Sequence, residues 1–333
     1  MATKIRDTDY LSISTRIRAM ENRLLTRERM ERMLEARTDE EAAKILAECG
    51  YGELGAVTHA ALDELLSRAR SELYRDLSTA VPNPDIVDVF RLKYDYHNAK
   101  VLLKAQAVGT DAERLLVEGG RWSAAELLES FRHDDWRQLP ERMRRAIDEA
   151  KELLNAGGDP QLADFALDRA YFEEMRAAAK DSGSAFLRGY VALLIDATNL
   201  RSAVRAARMG KGAEFLAQVL IPGGSVSERT LASAKGADLG QVFRTGRLAD
   251  AAALGASLTA PGSGGLTAFE RMCDDAVMDY LAQARRVPFG EQPVVGYLCA
   301  RESELTAIRT IMSGRMAGLS ADTIRERLRE AYV

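Results

Sequence analysis

An all-α fold made of three helical units in series is what this sequence predicts, and three observations predict it. The first is composition: of 333 residues, 47% are hydrophobic, only 6% are aromatic and only 8 are proline, a balance that suits helices better than β-rich packing. The second is a signature, D-x-x-N-x-[KR]-x3-[KR]-x4-G, met first as Asp95, Asn98, Lys100, Lys104 and Gly109 and again 101 residues on as Asp196, Asn199, Arg201, Arg205 and Gly210. A weaker third copy keeps Arg309 and Gly314. The third is a separate pattern of similar period: Leu116, Gly119, Gly120, Ser123 and Leu127 return 104 residues on as Leu220, Gly223, Gly224, Ser227 and Leu231, with Thr26 and Met30 as a degraded first version. Repeats of about 100 residues can each own a small core, whereas repeats of about 20–50 residues usually cannot. The units fall at residues 1–111, 112–216 and 217–333, each opening on a Ser/Thr-started helix and closing on a signature helix.

Taken in order, Ile13, Ile17, Met20, Leu24 and Leu25 stand at helical spacing, and Met30, Met33, Leu34, Ala42, Ile45 and Leu46 continue the pattern past an N-cap at Thr38-Asp39. Gly50-Tyr51-Gly52 ends this stretch, and Leu62, Leu65, Leu66, Leu73 and Leu77 form the stripe of a further helix. Val81-Pro82-Asn83-Pro84 breaks it, after which Asp85 is expected to cap the first signature helix and Gly109 to end it in the left-handed conformation that glycine adopts most cheaply. Gly210 and Gly314 are expected to end their helices the same way. Ser123 with Glu126 makes a capping box. Loops are expected at Asn155–Pro160, at Asp181–Ser184 before the second signature helix, and at Ala260–Gly265 before a helix carrying Phe269, Met272, Ala276, Val277 and Tyr280. Two prolines between Val287 and Pro293 precede the last signature helix, and Leu319-Ser320-Ala321-Asp322 opens a short terminal one.

Charge is dense but balanced, 46 basic against 50 acidic residues, which gives no general attraction to phosphate backbones and makes nucleic acid a poor partner. Cys49, Cys273 and Cys299 are scattered and odd in number, as expected of reduced, buried thiols in a cytosolic protein. The charged opening, Met1 to Tyr10, has no apolar leader, and no run reaches the ~20 apolar residues a membrane span needs. Catalytic and cofactor groups are missing as well. Met209-Gly210-Lys211-Gly212 and Gly262-Ser263-Gly264-Gly265 lack the lysine-hydroxyl pair of a phosphate loop. His59, His97 and His133 have no histidine or cysteine at metal-binding spacing, and Asp134-Asp135 and Glu173-Glu174 point about 100° apart on a helix. No cofactor and no metal are expected. Trp122 and Trp136 read as core anchors.

The signature helices do carry a basic face. Lys93, His97, Lys100 and Lys104 share one side of the first; Thr198, Arg201, Arg205 and Arg208 occupy that side of the second; and Glu302, Leu305, Arg309 and Met312 that of the third, where the stripe fades. One reading makes these solvated faces with local ion pairs worth ~0.2–1 kcal/mol each. The other has two or three such faces surround a common axis and receive an elongated partner. The Asp and Asn three residues apart are expected to be structural, pairing with a basic residue or capping a neighbouring helix.

These residues, with Asp9-Tyr10-Leu11 at the start and Pro288-Phe289-Gly290, Pro293-Val294-Val295-Gly296-Tyr297-Leu298, Glu302, Glu304, Ile308, Arg309, Ile311, Gly314, Leu319, Ile324 and Leu328 at the end, resemble the C subunit of the prokaryotic V-type and A-type rotary ATPases, the counterpart of the d subunit in the eukaryotic V-ATPase. The resemblance spans essentially the whole chain. It implies a funnel of three similar helical domains about a pseudo-threefold axis. It further implies a non-catalytic rotor component on the cytoplasmic face of the membrane, whose cavity takes the central stalk and whose base rests on the proteolipid ring, so that torque passes between ATP turnover and proton or sodium transport. Lys100, Lys104, Arg201, Arg205, Arg208 and Arg309 are the candidates for the stalk socket. Leu305 and Met312 depart from the polar character that the family keeps on the third face. The competing expectation is a free-standing helical scaffold, or a small-molecule enzyme with an apolar pocket between repeats.

Overall fold

The computed structural model describes residues 5–157, 159–260 and 262–333. Met1–Lys4, Gly158 and Pro261, which fall in the charged opening and in two of the predicted loops, lie outside the described residues. The chain is helical throughout, with no strand among the described residues. Its α-helices are α1 (Leu11–Glu21), α2 (Arg27–Glu35), α3 (Asp39–Glu48), α4 (His59–Ala80), α5 (Asp85–Val108), α6 (Ala124–Arg132), α7 (Glu141–Asn155) and α8 (Pro160–Asp181). They continue as α9 (Ala185–Arg208), α10 (Ala213–Val219), α11 (Glu228–Ser233), α12 (Leu239–Val242), α13 (Ala249–Ser257), α14 (Thr267–Ala282), α15 (Glu291–Met316) and α16 (Ala321–Arg325).

Short polar side chains start many of these helices by accepting a backbone N–H of the first turn. Thr26, Thr38, Thr58, Ser123, Ser184, Ser227 and Ser320 all do so, at roughly 1 kcal/mol per cap. Ser123 and Glu126 close the predicted capping box. Asp85 does not cap α5. Pro84 occupies the cap position, and Asp85 sits with Asp88 in the first turn, where the positive end of the helix favours a carboxylate. Gly109 and Gly210 are left-handed at the ends of α5 and α9, at φ 70° and 65°. Gly314 is not a helix end. It lies buried inside α15, which runs on to Met316, and the left-handed residue is Gly318. A Cβ at Gly314 would stand 2.7 Å from Ile324 Cγ1, so this glycine is there to let α16 pack against α15.

The three long signature helices, α5, α9 and α15, organise the packing. The N-terminal parts of α5 (Ile86 to Tyr94) and α15 (Val294 to Ala300) join α9, α1 and residues 216–281 in one core, where the rings of Phe90 and Tyr190 lie 5.5 Å apart. The C-terminal part of α5 leaves for a second core with residues 112–170. That of α15 leaves for a third, where Leu305, Ile308, Ile311 and Met312 meet residues 25–66. Ile308 and Ile311 are fully buried, each stabilising by roughly 1.5–3 kcal/mol. Each signature helix thus packs with the segment that follows it, except the last, which packs with the start of the chain. The packing groups are staggered by one helix relative to the repeats as they run along the sequence. Cys49, Cys273 and Cys299 are free and buried in these cores.

Candidate functional site

Each signature helix lies beside a companion helix of the same kind: α5 beside α8, α9 beside α14, α15 beside α4. The companions are themselves repeats that pattern reading missed. Leu62, Leu66 and Ala69 of α4 take the places of Ala163, Leu167 and Ala170 in α8 and of Phe269, Cys273 and Ala276 in α14. The same register carries acids that meet the basic stripe. Lys104 pairs with Asp164 at 2.7 Å, Arg205 with Glu270 at 2.5 Å, and Arg309 with Asp63 at 2.7 Å. One turn earlier, Lys100 pairs with Asp168 at 2.5 Å and Arg201 with Asp274. Arg208 donates to the carbonyl of Gly264 at 2.8 Å. All six basic residues singled out from sequence are therefore held by their own companion helix or loop. The acids recur at separations of 101 and 106 residues, a signal present in the sequence beside the basic one.

The Asp and Asn of the signature hold the glycine pair of the second pattern. Asn98 receives the N–H of Val117 at 2.9 Å and donates to its carbonyl at 2.8 Å; Asn199 does the same with Ile221, at 2.8 and 2.7 Å. Asp95 accepts the backbone N–H of Arg121 at 2.9 Å, and Asp196 that of Ser225 at 3.0 Å. The two repeated patterns are thus one clamp, made twice. It explains the glycines: a Cβ on Gly120 would collide with Asp95 Oδ1, and one on Gly224 would collide with Asp196 Oδ1. On α15 the place is taken by Glu304, which accepts the N–H of Leu25 at 3.0 Å and the hydroxyl of Tyr51 at 2.6 Å. Leu25 directly precedes the cap Thr26, as Trp122 precedes Ser123 and Val226 precedes Ser227. Burial raises the Glu304 carboxyl above its ordinary pKa in spite of Arg301, 2.7 Å away.

Where the signature helices converge there is a polar knot. Glu302 of α15 accepts from Lys93 Nζ and from the Tyr74 hydroxyl, both at 2.6 Å, and from the hydroxyl of Tyr94. Burial works against the Glu302 charge, yet Lys93 and the two hydroxyls hold its carboxyl below the usual value. Glu302 therefore ties α4, α5 and α15 together, although its sequence position marked only the fading of the basic face. Among the described residues, no three His, Cys, Asp or Glu side chains converge as metal ligands. Trp122 and Trp136 pack against the core of residues 112–170, and His97 and His133 are exposed.

Such a molecule, its long helices clamped to glycine loops and ion-paired to companion helices, belongs to the class of all-α helical repeat proteins. The family model described as ATP synthase (C/AC39) subunit matches residues 13–327, and the chain belongs to that family: the C subunits of the V-type and A-type ATP synthases, structural parts of a rotary ATPase. It is 25% identical to the C subunit of the V-type sodium ATPase of Enterococcus hirae over 97% of this chain and 99% of that one. It is 30% identical to the C subunit of the A-type ATP synthase of Halobacterium salinarum over 81% and 78% of the two chains. With the C subunit of the V-type ATP synthase of Thermus thermophilus it shares 26% identity over 63% and 70%. No helix among the described residues is long and apolar enough to cross a membrane.

Proposed function

We propose that this chain couples the central stalk of a V/A-type ATPase to the proteolipid ring in the membrane. It would do so as a funnel of three similar domains on the cytoplasmic face, passing torque between ATP turnover and the movement of protons or sodium ions. The observation that carries the reading is the doubled clamp with its ion-pair ladders. A coupling body must not deform under load, and α5 and α9 here are each fixed to the loop that follows by paired hydrogen bonds and close packing. A base of three similar parts suits a ring of many equivalent sites, since several weak contacts add through multivalency. Lys100, Lys104, Arg201, Arg205, Arg208 and Arg309 are the proposed stalk socket. Lys104, Arg205 and Arg309 keep about half of their side chains exposed within their ion pairs, so they are the members able to offer charge to a partner.

The test is purification of the tagged protein from its native membranes in mild detergent. Central-stalk subunits and a proteolipid are expected with it. Recovery of the chain alone, under conditions that leave other membrane complexes intact, would overturn the reading.

A further inference from the structure

One cleft gathers four basic side chains against a single acid. It has a volume of about 500 Å³, lies between α8 and α9, and is lined by Arg142, Arg176, Lys180 and Arg188 with a single carboxylate, Glu173. Among the described residues Arg176, Lys180 and Arg188 have no acid within 4 Å and no hydrogen-bond partner, and Arg142 stands 3.8 Å from Glu173. Four cations facing one anion leave the cleft net positive, whereas the six basic residues of the signature helices each have a partner within the chain.

The cleft is also built. Its wall includes Gly223, left-handed at φ 105°, and a Cβ there would collide with Arg176 Nη1 and stand 2.6 Å from its Cδ, so the glycine leaves room for the guanidinium. Gly223 belongs to the loop that Asn199 and Asp196 fix to α9, and the wall is held in place before any partner arrives. The repeated position, Gly119, also makes room for an arginine, but a buried one. There Arg70 takes the space, its Cδ 2.6 Å from where a Cβ would be, and is buried over the ring of Tyr94 at 4.9 Å. The first arginine is closed in by the chain itself, and the second is open to solvent.

We infer that this cleft receives an acidic segment of another subunit of the same complex, which deepens the coupling reading and rests on it. Its chemistry fits carboxylates on a macromolecule. Arg176 and Lys180 stand one turn apart on α8, the spacing at which Asp or Glu residues three or four apart on a facing helix present their charges. Arg176, Lys180 and Arg188 are exposed rather than enclosed, unlike the walls of a small-molecule site, which bury most of the ligand. Matched charges of this kind give register and salt-sensitive affinity.

The experiment places a photo-crosslinking residue at Lys180 in the complex purified from native membranes and maps the crosslinked peptide by mass spectrometry. The expected product joins Lys180 to a segment of another subunit that carries two or more Asp or Glu residues. In parallel, R176Q/K180Q/R188Q is expected to weaken retention of that subunit at raised salt by about tenfold, with thermal stability unchanged because all three side chains are exposed. A crosslink to lipid, to this chain only, or to a segment without acids overturns the inference while the complex itself stands, as does full retention in the triple variant. Failure to recover any complex overturns the coupling reading and this inference with it.

Discussion

The two clamps make the same backbone bonds in different electrical settings. At the first, Asp95 faces Arg121, whose Nε donates to it at 2.7 Å and whose Nη1 reaches Glu174 at 2.7 Å, so one guanidinium bridges two acids. At the second, Asp196 has the hydroxyl of Ser225 in that place, with no ion pair among the described residues. The Asn of each clamp also differs in what it covers: Ile221 is 4% exposed, while Val117 is partly open to solvent. Geometry has been kept between the repeats while the charge around it has been exchanged. The repeated element is therefore the shape of the glycine loop against the helix, and the means of neutralising the aspartate is free to vary.

The comparison is tested first at the asparagines, where the largest effects are expected. Asn199→Ala strands the N–H and carbonyl of buried Ile221 and should cost about 2–4 kcal/mol, whereas Asn98→Ala leaves Val117 within reach of water and should cost about 1–2 kcal/mol. Urea midpoints of the two variants decide it; equal losses would mean that solvent access does not separate the clamps.

Next comes pH. Burial pushes the Asp95 carboxyl up to about 6, against the pull of Arg121 and the backbone N–H groups. The ordinary value is about 3.9, so between about pH 4 and 6 the folded chain holds a proton that the unfolded chain has lost. Stability from this group is full below pH 4 and falls as pH rises through 6, by roughly 1–3 kcal/mol. Asp95→Asn should flatten that slope in denaturation curves taken from pH 4 to 7, and parallel slopes for variant and parent would refute the assignment.

The smallest effects belong to the ladders. Lys104→Gln and Arg205→Gln, each about half exposed, should each lower stability by under about 1 kcal/mol. The loss should shrink at high salt, as read from melting temperatures in low and high ionic strength. A salt-independent loss would place these residues in packing and not in charge.

Much of this architecture is written in the chain, but in a form that hides its contacts. Periodicity reveals that Asp95 and Gly120 each recur; it does not reveal that they touch, because a repeat says which residues are equivalent and not which meet. The basic stripe is legible and its acids are too, since Asp164 and Glu270 share a register as plainly as Lys104 and Arg205. The acids escape notice because acidic residues on helices are common and only contact separates a partner from a solvated face. Gly314 misleads for a physical reason. A glycine ends a helix when it turns left-handed, but it also serves where a neighbour needs the room of a missing Cβ, and sequence alone does not distinguish the two uses. Glu304 stays hidden because it does the work of an aspartate from a different position, with a longer side chain.

The third core, shared by residues 25–66 and the end of α15, sets an order of events during synthesis. Residues 25–66 leave the ribosome early with an apolar face, while Leu305, Ile308 and Ile311, which cover it, are still to be made. At about 5–20 residues per second the gap between Leu66 and Leu305 is roughly 10–50 s of translation. For that interval the helices of the opening segment pack only on one another, and the arrival of α15 is the step that completes their core.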